Sequence, residues 1–587
     1  MEKWFVAAKK ADFDKWAEEF HISPVLARIL RNRDLTTEAE VREFLWGGLK
    51  DCHSPWLLKD MDKAVALLKE AVTQKVSIRV IGDYDVDGIC SSYILTRGLK
   101  LLGARVDTAI PHRIHDGYGL NDNLIEEAKQ DGVGMIVTCD NGIAAASQIA
   151  LAAELGIQVI VTDHHEVPFT EDAGVRKELL PPALAVIDPK QEQCSYPCEN
   201  ICGGVVAYKL MQALGENTGN EKLLEAMGEF LEFAGLATVC DVMELKGENR
   251  IIVKEALKRL KHTNNQGLKA LIEVNGIDCE RLSAYHLGFV LGPCLNATGR
   301  LDTAKRALEL LLSEGKAEAM SAAGELKALN DSRKNLTLKG VEQAEEYINK
   351  QHMENDRVML IYLPEVHESL AGIIAGRIRE KYNRPVFVLT KSEEGVKGSG
   401  RSIEAYHMYE AMTRAKQYFT KYGGHKLAAG LSMQEEDIEA LRAALNEDCG
   451  LTEEDFIPKV HIDVPMPLIY ADESLARELE CLEPFGVGNP KPLFAQKGLC
   501  FLSGMKMGAN KSFARFTVRT PEGERRQLVF FRDLDKFGQF IREKYGEDSE
   551  ERLYKGRGEF SVSVVYQLGI NSYRGRTELQ YIMQYYC

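Results

Sequence analysis

The chain has 587 residues, 45% of them apolar and 27% charged, with 73 Lys+Arg against 88 Asp+Glu and a formal net charge of −15. That length predicts about three to five domains, and the composition excludes a disordered, collagen-like or coiled-coil chain. The acidic excess argues against a general polyanion binder, but not against a local basic track or a metal that bridges to phosphate.

The first 60 residues carry all four Trp (Trp4, Trp16, Trp46, Trp56) and read as a helical cap, 1–60, on the domain that comes after it. A βα rhythm starts near Ser77. Short β-branched runs at 76–81, 135–139, 157–162 and 183–187 alternate with helical patterns, which predicts a parallel α/β sheet within 61–250. Each run ends in polar residues: Asp83-Tyr84-Asp85-Val86-Asp87-Gly88, Asp140-Asn141-Gly142, Asp163-His164-His165 and Asp188-Pro189-Lys190. The carboxyl ends of parallel strands open on one edge of a sheet, so these groups are predicted to converge. Residues 251–350 read as helical, with 304–349 as a long connector. The βα pattern returns at 358–362, with a helix at 369–382 and a strand at 385–389, giving a second α/β domain, 351–455. Gly-rich loops are expected there at 398–402 and 423–430. Beyond Pro458, apolar and polar residues alternate, which predicts a small antiparallel domain, a five-stranded β-barrel, over 456–587.

In an extended or turning loop, Asp83, Asp85 and Asp87 project one way and repel one another unless a cation sits between them. Asp140, His164, His165 and Asp241 add carboxylates and two imidazoles to the same cleft. Oxygen ligands suit Mg²⁺, and imidazole moves the preference toward Mn²⁺. Two such ions activate water and stabilise both oxygens of an in-line phosphoryl displacement. Taken singly, the Asp loop also reads as a solvated turn and each His as an ordinary surface or core residue. A Ca²⁺ loop is disfavoured because its twelfth position is Ile94. The recurrence of such clusters after three successive strands favours a metal centre.

Thirteen Cys, no signal peptide and no run able to span a bilayer predict a cytoplasmic chain with reduced thiols and no membrane partner. Cys194, Cys198 and Cys202 have two readings, a metal site or reduced, partly buried thiols; they match no common zinc spacing, which favours the thiols. Between 486 and 526, eight Lys/Arg, among them Lys506, Lys511 and Arg515, stand against two Glu, a local charge of +6. Phe494, Phe501, Phe513 and Phe516 interleave with them. A basic surface with aromatics takes single strands by backbone attraction and base stacking. The same Phe residues also suit a barrel core.

In this order, the motifs resemble those of the DHH phosphoesterase superfamily, named for the Asp163-His164-His165 type of triplet. The 82–88 segment, Cys139-Asp140-Asn141-Gly142 and Asp241-Val242 are similar to its other metal motifs. Leu291-Gly292-Pro293 through Asn296-Ala297-Thr298-Gly299-Arg300-Leu301, with 398–402, 423–430 and 484–490, resembles its RecJ branch over nearly the whole chain. One departure is that Ile81 and Gly82 precede the first Asp where some members place a metal-binding His.

The resemblance implies a parallel-sheet DHH domain, a helical connector, an α/β DHH-associated domain and a C-terminal OB-fold. It implies metal ligands at Asp85, Asp87, Asp140, His164 and Asp241, with Asp83 and His165 in support and Asp163 orienting the histidines. Phosphate or strand contacts fall to Asn296, Arg300, Ser399, Arg401, Gly424 and His425, with Gly398, Gly400 and Gly423 letting backbone N–H groups approach phosphate. The implied activity is 5′→3′ hydrolysis of single-stranded DNA to mononucleotides with Mn²⁺ or Mg²⁺, in repair and recombination. Single-strand-binding protein and a RecQ-type helicase are the implied partners, and a monomer the implied state. Competing readings are a DHH phosphoesterase for short oligonucleotides or cyclic dinucleotides, an inorganic pyrophosphatase and an inert scaffold. The basic C-terminal domain argues against the first two, and the complete ligand set against the third.

Overall fold

The computed structural model describes every residue except Met1, 114–118, 173–174, 393–394, 448 and 574–575. The chain forms two units, 48–457 and 1–47 together with 458–587.

In the larger unit, five parallel strands lie in the order Arg105–Ala109, Ser77–Ile81, Met135–Cys139, Gln158–Thr162, Ala185–Ile187. Side chains alternate across a strand. Accordingly Val80 joins Val137 and Ile160 in one core, while Ile81 joins Ile136 and Val161 in another. Helices Val86–Leu101, Gly203–Thr218 and Glu221–Cys240 cover the first face; Asp122–Gln130 and Ala146–Glu154 cover the second. The edge strand Arg105–Ala109 is not among the predicted elements, because its exposed Arg105 and Asp107 break the continuous apolar run that marks its neighbours.

The first core continues without a break through Leu260, Leu271, Leu311 and Leu326. The helical region after 250 is therefore packed into the sheet domain, with no core boundary at that position. Helix Lys316–Lys350, 35 residues long, carries the connection onward, and its Ala344 and Ile348 pack on the second sheet.

That second sheet has the order Lys421–Gly424, Ala428–Met433, Gly395–Arg401, Val386–Ser392, Met359–Tyr362. The segments expected as Gly-rich loops are largely paired strands. A Cβ at Gly398 would stand 2.4 Å from Leu389 Cδ2, and one at Gly400 would stand 2.4 Å from Met408 Sδ. Neighbouring side chains fill these places, so glycine tolerates the strand here for packing reasons.

In the smaller unit, the N-terminal segment does not cap the domain next to it in sequence. Strand Lys3–Val6 pairs in parallel with Lys459–Ile462, and Trp16, Phe20 and Leu26 enter the core of Phe494, Phe516 and Leu528. Strands Phe494–Met507, Phe513–Arg519, Arg525–Phe530, Arg576–Tyr586 and Phe560–Tyr573 pair in that order, and the last closes on the first. This is the expected five-stranded barrel, with one parallel closure between Arg525–Phe530 and Arg576–Tyr586. Phe494, Phe501 and Phe516 are fully buried in it, so they are core and cannot stack on bases; Phe513 is partly exposed. Among the described residues, no helix is long and apolar enough to cross a membrane.

Candidate metal centre

Three strand ends and three helix ends build the site; Asp241 is the C-cap of helix Glu221–Cys240. After Ser77–Ile81 the chain turns directly into helix Val86–Leu101. Asp85 is the N-cap, accepting from Gly88 N at 3.0 Å, and Asp87 lies in the first helical turn. Asp85 and Asp87 are thus placed by a helix start, and Asp83 by the turn that precedes it. A Cβ at Gly88 would come 2.4 Å from Asp83 O, so the turn closes this tightly only with glycine. Asp87 is buried and accepts from Gly203 N (2.7 Å) and Gly204 N (2.6 Å), two N–H groups at the start of helix Gly203–Thr218. A helix N-terminus is a natural seat for a carboxylate.

Asp140 follows Met135–Cys139 with φ 61°, a left-handed conformation that Asp tolerates better than most residues. Asn141 behind it donates to Ile81 O (3.2 Å) and Cys139 O (2.9 Å), tying two strand ends together. Asp163 is buried: Oδ1 accepts from His164 N (2.8 Å) and His165 Nδ1 (2.7 Å), and Oδ2 accepts from Ile143 N (2.9 Å). Its polar capacity is spent inside the protein, which fits an orienting role.

His164 Nε2 stands 3.0 Å from Asp140 Oδ1, 3.5 Å from Asp87 Oδ2 and 3.7 Å from Asp241 Oδ2. Adjacent ligands on an octahedral ion at about 2.1 Å are about 3 Å apart, so these spacings suit one shared cation. Ligand atoms fall within 4.8 Å of one another in three groups: Asp87–His164–Asp241, Asp140–His164–His165 and Asp83–Asp85–Asp140. His164 belongs to the first two of these groups and Asp140 to the last two, so the three are linked into one cluster. Buried Asp83 Oδ1 and Asp241 Oδ2 accept no hydrogen bond among the described residues. An orphaned buried carboxylate oxygen is costly, and a divalent ion would satisfy it. The donor set therefore fits two hard or borderline cations.

The electrostatics agree. Burial, then the charge of Asp85, pushes Asp83 up to about 8. Burial, then Asp87, pushes Asp241 up to about 8. Asp87 and Asp140 are also raised, chiefly by burial. Burial lowers His164. Burial would lower His165 too, but the hydrogen bond and charge of Asp163 raise it to about 9.

Beside this acidic centre lies a cavity of about 820 Å³ of opposite character. Tyr84, Arg113 and Arg300 line it from the first domain; Ser369, Ser399, Arg401, Lys421, Gly424 and His425 line it from the second. Arg300, on helix Gly292–Leu301, donates to Ser369 O at 2.7 Å, and Arg401 donates to Gly400 O at 2.7 Å. Burial, then Arg113, Arg333 and Arg401, lowers Arg300 to about 9, and burial with Arg113 lowers Arg401. Such crowding of cations calls for an anion. Asn296 lies on the same helix, with a buried Oδ1 that accepts no hydrogen bond among the described residues, but it is not in the cavity wall.

Arg113, whose guanidinium lies 4.6 Å from the Tyr84 ring, is not among the sequence candidates. It follows the strand Arg105–Ala109; a reading that recognised that strand would place Arg113 at the ligand edge. Gly203 and Gly204 escape sequence reasoning because two glycines opening an apolar helix carry no distinctive signal. Cys194 and Cys198 are half-buried and Cys202 is buried, and among the described residues the groups able to hold a metal contain no Cys. In the barrel, Lys506 stands 3.6 Å from Glu550 and 4.8 Å from the centre of the Tyr554 ring. Lys511 is exposed and Arg515 half-buried.

Comparison with known proteins bears on each part. Residues 77–236 match the DHH family N-terminal domain, 355–450 the DHHA1 domain and 462–585 the RecJ OB domain. The single-stranded-DNA-specific exonuclease RecJ of Bacillus subtilis is 36% identical over 511 residues, 86% of this chain and 63% of that protein. The RecJ exonuclease of Salmonella typhimurium is 32% identical over 98% of both chains. The crystal structure of RecJ with Mn²⁺ from Thermus thermophilus matches with a TM-score of 0.81 and 28% identity, covering 100% of this chain and 79% of that one.

Proposed function

The chain belongs to the RecJ family of single-stranded-DNA-specific exonucleases, and from that membership we propose that it removes mononucleotides from the 5′ end of single-stranded DNA at the carboxylate–histidine centre. The observation that carries this reading is the meeting, at Tyr84, of two opposite environments. One is a carboxylate cluster whose orphaned oxygens need cations; the other is an arginine-lined cavity that needs an anion.

Mn²⁺ or Mg²⁺, bound as a pair, supplies an activated water and neutralises charge on the scissile phosphoryl group. Asp87, His164 and Asp241 would hold one ion and Asp83, Asp85 and Asp140 the other, with Asp140 3.0 Å from His164 of the first set. His165, fixed by Asp163, stands beside this set. Arg113, Arg300 and Arg401 hold the strand end. A terminal phosphate monoester carries about −1.5 to −2 charge, more than an internal diester, so clustered guanidinium groups select ends. Ser399, Gly424 and His425 complete the wall. The barrel gathers the strand through Lys511 and Arg515, with Lys506 weakened by its engagement with Glu550 and Tyr554. Work in the cytoplasm as a monomer in repair and recombination, beside single-strand-binding protein and a RecQ-type helicase, completes the reading.

The test compares turnover on a long single strand, its duplex, a dinucleotide and a cyclic dinucleotide. Preference for the long single strand supports the reading. Preference for the short substrates would favour the oligonucleotide phosphoesterase.

A further inference from the structure

The cavity beside the metal centre is more basic than one phosphate group requires. Arg113, Arg300, Arg401, Lys397 and Lys421 line it against a single carboxylate, Glu368, a net charge of +4 around about 820 Å³. A terminal phosphate monoester brings about −1.5 to −2. The three arginines suffice for that charge, and the register of the second sheet shows where the two lysines stand.

Side chains alternate along a strand. Lys397, Ser399 and Arg401 of strand Gly395–Arg401 therefore share one face, while Val396 enters the core on the other. Cross-strand pairing extends these three positions into rows. Arg401 pairs with Ala428. Ser399 pairs with Gly430, and Gly430 with Gly423. Lys397 pairs with Ser432, and Ser432 with Lys421. Successive rows are about 7 Å apart along the strands, and the two lysines, two strands apart, flank a gap of about 10 Å.

The middle row is a bare floor. A Cβ at Gly423 would meet nothing within 4 Å, and one at Gly430 only Gly398 O at 4.0 Å. Neither glycine has a positive φ. Packing and backbone geometry thus leave room for a side chain at both positions, and glycine inside a strand often marks the close approach of a ligand. Helix Ala371–Tyr382 covers the same face only over the neighbouring strands, where Ile374 packs with Val386 and Val388. Its first turn, Ala371 to Ile373, forms the side wall of the trough that remains.

At the far end of this trough Lys397 Nζ lies 3.1 Å from a Glu368 carboxylate oxygen. Glu368 precedes Ser369, whose carbonyl oxygen holds Arg300. One singly charged carboxylate partners this lysine, and a phosphate with more charge and more acceptor oxygens competes with it favourably.

Resting on the reading that this is a single-strand exonuclease, we propose that Lys397 and Lys421 form a second anion subsite beyond the arginines, which admits strands whose 5′ end carries a triphosphate. The α-phosphate sits at Arg300 and Arg401, the chain crosses the glycine floor, and the γ-phosphate reaches the lysine row beside Ser432. The first turnover then hydrolyses the first internucleotide bond. The hydroxyl of water adds to phosphorus, the bond from phosphorus to the 3′ oxygen breaks, and that oxygen takes the proton. A nucleoside triphosphate departs and leaves a strand with a 5′-monophosphate.

The full-length protein tests this on one single-stranded DNA with a 5′-hydroxyl, 5′-monophosphate or 5′-triphosphate end. The readouts are KM and kcat for the first cleavage, and the first product by chromatography. The wild type should show a KM about ten-fold lower for the triphosphate end than for the monophosphate end, and should release a nucleoside triphosphate first. Lys397→Met and Lys421→Met, with the fold verified by thermal unfolding, should each remove most of that ratio; Lys397→Arg should keep it, and Glu368→Gln should enlarge it. Free dATP presents the same chemistry without a strand. A triphosphate strand left uncut while dATP inhibits the wild type would assign the lysines to a free nucleotide and overturn the proposal. An unaltered ratio in folded methionine variants overturns the subsite alone. A wild type that digests none of the three strands overturns the functional reading, and the subsite with it.

Discussion

His165 Nδ1 lies 2.7 Å from Asp163 Oδ1, and Asp163 itself is fully enclosed, holding the backbone N–H groups of Ile143 and His164 as well. One buried carboxylate thus sets the turn after Gln158–Thr162 and orients the second imidazole. Asp163→Asn keeps the shape and removes the charge. The Mn²⁺ concentration for half-maximal rate should rise about 10–100-fold, as for other residues that orient metal ligands. An unchanged Mn²⁺ requirement would show that His165 needs no such support.

The metal dependence should itself depend on pH. In the metal-free protein, Asp83 and Asp241 hold protons up to about pH 8, far above the ordinary 3.8. Protons bound by the folded but not the unfolded chain contribute stability that is complete below about pH 4 and lost as pH rises through about 8. Cations take the place of those protons. The rise in melting temperature on adding Mg²⁺ should therefore grow from about pH 6 to about pH 8.5. Differential scanning fluorimetry at fixed Mg²⁺ reads this directly; a shift that shrinks with pH would contradict it.

Gly203 supplies an N–H to Asp87 and has no room for more. A Cβ there would stand 2.8 Å from Asp140 Cβ. Gly203→Ala should cost roughly 1–3 kcal/mol of stability and lower turnover at least ten-fold, by pushing apart two carboxylates that share the centre. Gly324→Ala is the control, since nothing lies within 4 Å of that position. It sits in a helix interior, where alanine should be neutral or stabilising by up to about 1 kcal/mol. Equal behaviour of the two variants would remove the packing argument.

Arg300 is held by Ser369 O at 2.7 Å and crowded by other cations. Arg300→Lys keeps the charge but loses the planar fork that grips phosphate through two hydrogen bonds. KM for a 5′-phosphorylated strand should rise by about ten-fold, against a smaller change for a 5′-hydroxyl strand. Equal effects on both substrates would place Arg300 elsewhere on the strand.

Much of the site is legible in the sequence because strand ends announce themselves. The β-branched runs before Asp83, Asp140 and Asp163 define a parallel sheet, and the sheet brings distant carboxylates to one edge. The features that stay hidden have physical causes. Arg105–Ala109 is an edge strand whose polar side chains mask it, and Arg113 is hidden with it. Glycine at 398, 400 and 423 reads locally as loop, whereas long-range strand pairing places all three in the second sheet. The N-terminal helices belong with the barrel because Lys3–Val6 pairs with Lys459–Ile462, a contact that no local periodicity encodes. Phe494, Phe501 and Phe516 look like base-stacking residues in a basic stretch, but alternation along the barrel strands turns them inward.

The most direct measurement is Mn²⁺-dependent digestion of a single-stranded DNA labelled at its 3′ end, run beside its duplex and with Asp140→Ala, which removes a carboxylate that belongs to two of the three candidate ligand groups. The account predicts stepwise shortening of the labelled single strand by the wild type, with the duplex intact and the folded variant inert. A labelled strand that stays full length, or one that Asp140→Ala shortens as fast as the wild type, would contradict it.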